Sequence, residues 1–109
     1  MDGIKSMDKH ELIYLLEPVT RVNDIGQRVR GEYTEKEVFA KKTSVSQSEF
    51  FTAGQNGLRA DCMFLVYTFE YSGELYIQHN GIVYTIYRTY VNGDNIELYC
   101  EVRRNGDKH

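Results

Sequence analysis

Glu97 and Glu101 stand on a run that reads as a strand, spaced so that both carboxylates face the same way. Two carboxylates on one face are what a glycoside-cleaving site uses, one as acid and one as base or nucleophile. On a strand alternating apolar and polar residues, outward glutamates are more simply the solvated face. His10, His79, His109, Cys62 and Cys100 could ligate a metal, but none stands at ligand spacing from another. Ser46 and Ser48 could be nucleophiles, yet no histidine neighbours them in sequence and they form no strand–turn–helix elbow. Gly54 and Gly57 follow a helix, whereas a phosphate-cradling loop precedes one. No catalytic residue, metal site or cofactor is expected, and the chain does not read as an enzyme.

The elements that hold these residues are mostly strands, with one exception. Val45-Ser46-Gln47-Ser48-Glu49-Phe50-Phe51-Thr52-Ala53-Gly54 is a short, fully punctuated helix. Ser46 fits the N-cap, and Glu49 stands where its side chain can reach back to the Ser46 N–H and complete a capping box. Val45 and Phe50 have the spacing of a hydrophobic staple, and Gly54 is expected to take the left-handed conformation that ends the helix. A two-turn helix is too short to be stable alone, so other elements must hold it. Adjacent residues point about 100° apart, so one narrow stripe cannot bury both Phe50 and Phe51. Either one ring packs on the sheet while the other covers it, or Phe51 points outward as part of a contact patch.

The strands are read from alternation and turn chemistry. A first strand over His10–Val19 closes at Pro18, the only proline, which cannot donate to a ladder. Arg21–Gln27 is turn chemistry, and Gln27–Tyr33 is a candidate second arm. Thr34–Glu37 reads as a charged break before the strand Val38–Thr43. The segment Cys62–Tyr71 is apolar on both faces, so one face is core and the other is expected to meet a neighbouring element or subunit. Leu75–His79 and Ile82–Tyr87 flank Asn80-Gly81, a strong hairpin signal, which Asn92-Gly93 repeats. In the last strand Ile96, Leu98, Cys100 and Val102 point inward. The expected fold is all-β: a small antiparallel barrel or sandwich of about six strands, with one short helix in a long loop. One domain over residues 10–104 is expected, with a disordered leader at 1–9, Met7 a candidate natural start, and a polar tail at 105–109.

Composition narrows the function classes. The 109 residues are 41% hydrophobic and 13% aromatic, with nine tyrosines, five phenylalanines and no tryptophan. Tyrosine-rich strands suit half-buried sheets and also protein interfaces. A net charge of −3, from 13 basic and 16 acidic residues, leaves no strong electrostatic footprint for nucleic acid. No apolar run approaches the ~18 residues of a membrane span, and no signal peptide is visible. Cys62 and Cys100 read as buried reduced thiols, with a disulfide as the alternative.

Several of these pieces, in order, resemble the head–tail joining proteins of tailed bacteriophages, also called head-closure, adaptor or stopper proteins. Asp24-Ile25-Gly26-Gln27 looks like that family's acidic-to-glycine turn. Val38-Phe39-Ala40-Lys41 resembles its aromatic-alanine strand, with Phe39 in place of the usual tryptophan. Val45–Phe51 resembles the hydrophobic-serine-x-x-Glu helix start. His79–Ile86 is similar to its polar-Gly-x-x-Tyr-x-Ile hairpin, and Ile96–Cys100 to its closing strand. The likeness covers residues 10–103. Relatives often carry an arginine in the strand corresponding to Cys62–Tyr71; this chain has Val66-Tyr67-Thr68 there, so that arginine's contact does not carry over.

The resemblance implies a barrel-like protein of the virion neck, present in the host cytoplasm during assembly. It implies a ring, expected twelvefold, below the portal, with a portal-bound adaptor above and a tail-completion protein below. Contact with genomic DNA in the channel would be transient and non-specific. The loop Thr43–Asp61 would contact neighbours, the channel or both, with Ser46, Glu49, Phe50, Phe51, Gln55, Asn56, Leu58 and Arg59 as its candidate residues. Two alternatives remain: a tail-terminator ring on the tail tube, and an OB- or SH3-like binding module. The second would need a basic, aromatic face, for which Tyr84, Tyr87, Arg88 and Tyr90 are the candidates.

Overall fold

A computed structural model describes residues 9–19, 29–30 and 33–103. The turn at 21–27, the tail at 105–109 and all of the expected leader except Lys9 lie outside the described residues. Seven strands are described: β1 (Glu11–Pro18), β2 (Val29–Arg30), β3 (Tyr33–Thr43), β4 (Cys62–Tyr67), β5 (Tyr76–His79), β6 (Ile82–Asn92) and β7 (Asn95–Val102). One helix, α1 (Gln47–Gln55), lies between β3 and β4. Every strand pairing is antiparallel. The sheet order β1-β5-β6-β7-β4-β3 returns to β1 through the β1–β3 ladder, so six strands close into a barrel and β2 is a two-residue appendage on β3.

Closure follows from alternation. Ile13 and Leu15 on β1, Val38 and Ala40 on β3, Cys62, Phe64 and Val66 on β4, and Ile96, Leu98 and Cys100 on β7 all point into one core. A period-2 pattern puts a strand's apolar set on one side, and a closed sheet makes that side common to all. Phe64 is central: it is fully buried and makes edge-on ring contacts with Tyr84 at 5.4 Å and His79 at 5.5 Å.

The ladders correct four sequence expectations. Thr34–Glu37 is no break, because β3 runs unbroken from Tyr33 to Thr43. Its charged residues are accommodated along the ladder with β1; the Lys36 ammonium meets the Glu74 carboxylate at 3.2 Å. β4 stops at Tyr67 instead of running to Tyr71. Thr68 gives its N–H to Asp94 O at 2.7 Å and its hydroxyl to Gly93 O at 3.0 Å, and the chain turns into a 3-10 turn over Thr68–Glu70. β6 passes Tyr87 and continues to Asn92. The Asn80-Gly81 hairpin forms as read, both residues having positive φ. At the second hairpin Asn92 pairs with Asn95, so the two-residue turn is Gly93-Asp94, one position later than expected.

The second face of β4 is only half covered. Met63, Leu65 and Tyr67 are of intermediate exposure on the outside of the barrel. Beside them Leu12 and Phe39 face each other across β1 and β3, and both are exposed. Phe69 is the most open large apolar residue described, at 82% exposure, and stacks on Tyr67 with centroids 5.7 Å apart.

Candidate functional site

The Thr43–Asp61 loop is held in a defined shape by its own sequence. Ser46 is the N-cap, its Oγ accepting from the Glu49 N–H at 3.0 Å. The helix ends three residues later than Gly54 implied: Asn56 is the C-cap and Gly57, at φ +79°, is the left-handed residue. Leu58 N donates to Ala53 O at 2.9 Å and Gly57 N to Gly54 O at 3.1 Å. Those two bonds are the pair that defines a Schellman ending. Gly54 therefore lies inside the helix and has no left-handed role. The Asn56 side-chain amide donates to Thr52 O at 3.0 Å. Beyond the helix Arg59 pairs with Asp61 at 3.1 Å, and Asp61 ties the loop's end to β7 by accepting from Val102 N at 2.8 Å.

Glu49 does not complete a capping box with its side chain, because that carboxylate is engaged by β6. Between Ile86 (opposite Cys100) and Arg88 (opposite Tyr99) the ladder carries a β-bulge with Tyr87 as the extra residue. A bulge breaks alternation and re-aims side chains, so two consecutive residues reach one acceptor. The Tyr87 hydroxyl donates to Glu49 Oε2 at 2.7 Å, and the Arg88 guanidinium engages both carboxylate oxygens. Arg88 also lies 4.2 Å over the Tyr99 ring, and the Tyr99 hydroxyl donates to Glu97.

The electrostatics follow from this packing. Burial pushes the Glu49 carboxyl up, but hydrogen bonds from Arg88 and Tyr87 outweigh it, and the net shift is below the usual carboxylate range. Burial, and then its bond to Glu49, raises the Tyr87 phenol. Burial and the Glu97 carboxylate push Tyr99 up to about 12. Arg88, hydrogen-bonded to Glu49, is held more firmly protonated. At neutral pH Glu49 is a carboxylate held by the Arg88 guanidinium and the neutral Tyr87 phenol, an arrangement that anchors the helix to β6.

The helix turns little of itself toward the barrel. Ala53 is its only buried residue. Phe50 and Phe51 are 49% and 60% exposed, edge to face with centroids 6.0 Å apart. The expectation that one ring packs on the sheet under the other therefore fails, and both rings face outward. Of the other candidate residues, Gln55 is exposed, Leu58 is half-buried, and Asn56 and Arg59 are spent on local bonds. Sequence reasoning named Tyr87 and Arg88 only as candidates for a binding face and missed their bonds to Glu49, because a bulge leaves no periodicity to find.

The other candidate chemistry disperses. The aromatic, basic face Tyr84–Tyr90 does not exist as a face: Tyr84 lies in the core and Tyr87 and Arg88 bind Glu49. Glu97 accepts from the neighbouring Tyr99 hydroxyl. Cys62 and Cys100 are both free and buried, directly opposite each other across β4 and β7. Among the described residues no group of three or more His, Cys, Asp and Glu is arranged to hold a metal ion, and no helix is long and apolar enough to cross a membrane.

The chain matches no protein-family model and no curated protein.

Proposed function

We propose that this protein is a non-catalytic structural component of a tailed-phage or prophage virion. In this reading it closes the head below the portal as a ring and presents the surface to which the tail attaches. The observation that carries the reading is the outward pair Phe50 and Phe51 on a helix whose start, end and flank are all pinned. Two half-exposed rings on a capped helix suit a protein contact, because aromatic residues, Phe among them, are enriched at interfaces. The half-covered outer face of β4, with Phe39, Leu12 and Phe69 near it, suits a second contact of unlike shape, which a head-to-tail ring requires. The acidic balance suits a conduit that must let DNA pass, because each added phosphate contact would slow release.

The test is to add the purified protein to portal–adaptor complexes and examine them by electron microscopy. A ring added below the adaptor is the expected result. No added ring, together with capsids that stay full and infectious without the protein, refutes the proposal. Purified tails that end in a ring of this protein would move it to the tail-terminator position.

A further inference from the structure

We infer that Glu49, Tyr87 and Arg88 form a latch, and that helix α1 can lift from the barrel as a unit while the barrel stays closed. This inference does not depend on the phage assignment. It rests on how unevenly the loop is attached. The six-strand closure is complete without α1, since β3 joins β1 and β4 directly. Along the helix only Ala53 is buried, so little apolar surface holds it down. A helix of two to three turns has no independent stability to fall back on. The side-chain hydrogen bonds described between α1 and the strands all end on the Glu49 carboxylate, which is 13% exposed and takes donors from two consecutive residues of the β6 bulge. The loop's far end is fastened separately at Asp61, by bonds to Cys100 O and from Val102 N, and these can persist while the helix lifts. A segment with few buried contacts and one polar anchor belongs to the low-stability end of a fold's local openings.

Amide hydrogen exchange on the intact chain tests this, comparing wild type with Glu49→Gln and Tyr87→Phe. Glu49→Gln keeps the shape and removes the charge that Arg88 and Tyr87 serve. It should speed exchange of the α1 amides by about tenfold or more, as expected for loss of charge-assisted bonds. Amides of β4 and β7 should stay within about twofold of wild type, the margin expected for independent sites. Tyr87→Phe removes one of the donors and should give a smaller increase in the same segment. Unchanged α1 exchange in Glu49→Gln overturns the latch. An increase shared equally by α1, β4 and β7 also overturns it, as does a Glu49→Gln protein that fails to fold, because α1 would then be integral to the barrel.

Discussion

The imidazole of His79 meets the carboxylate of Glu11 at 2.9 Å, although the two residues stand 68 positions apart in sequence. His79 is buried at the end of β5 against the Phe64 ring, and Glu11 opens β1, so the contact ties the start of the barrel to its Asn80-Gly81 hairpin. The hydrogen bond to His79 is the largest cause holding the Glu11 carboxyl below its usual value.

That shift sets a pH dependence. A carboxyl whose folded value lies below its unfolded value stabilises the fold above the usual carboxylate range, and the contribution is lost as pH falls through the folded value. Urea unfolding should find Glu11→Gln less stable than wild type at neutral pH. The gap should close as pH drops through the acid range. A gap that stays constant from neutral to strongly acidic pH would show that the contact is not ionic.

The two glycines at the end of α1 should respond to alanine with opposite signs. Gly54 is helical, and an added Cβ would meet open space, so Gly54→Ala should stabilise by about 0.5–1 kcal/mol. Gly57 has φ +79°, where a side chain costs about 1–2 kcal/mol, so Gly57→Ala should destabilise although its Cβ is equally unhindered. Thermal or urea denaturation distinguishes them, and a reversal would move the left-handed position back to Gly54.

Ser46→Ala removes the acceptor for the Glu49 N–H and should weaken the helix by about 1 kcal/mol. The loss should appear as faster amide exchange in α1, with the strand ladders unaffected. A protein that loses its barrel on this change would mean the loop nucleates the fold.

Phe51 and Phe64 separate contact from core. Phe51 is 60% exposed, so Phe51→Ala should change folding stability by no more than about 0.5 kcal/mol while reducing assembly on a neck complex. Phe64 is fully buried, and Phe64→Ala should cost about 3–5 kcal/mol. Equal losses of stability would make the helix rings part of the core.

Cys62 and Cys100 should be silent towards thiol reagents in the native protein and fully reactive in denaturant. Burial pushes the Cys62 thiol up to about 11 and the Cys100 thiol higher still, so neither forms the reactive thiolate near neutral pH. Prompt labelling of the folded protein at pH 8 would place at least one of them at the surface.

What could be read along the chain was whatever depends on near neighbours. Alternation alone predicted Ile96, Leu98, Cys100 and Val102 as inward residues, and the core contains the first three with Val102 packed against it. The Asn80-Gly81 turn and the Ser46 cap are bonds between residues within a few positions, and both formed as read. The errors came where two local signals competed. Gly54 and Gly57 can each end a helix, and Ala53 carbonyl bonding decided for the later one. Thr34–Glu37 carries charge that reads as a break, yet a β1 partner and the Glu74 carboxylate make it strand.

The sequence by itself determined the class of fold, the inward residues of its clearest strands and the existence and start of one capped helix. These depend on period, turn geometry and bonds that span three or four residues. Only the tertiary structure decided the ring closure through β1 and β3, the engagement of Glu49 by Tyr87 and Arg88, and the outward placement of both Phe50 and Phe51. Those outcomes depend on one extra residue in the β6–β7 ladder and on partners nearly forty positions away, and no periodicity along the chain encodes either.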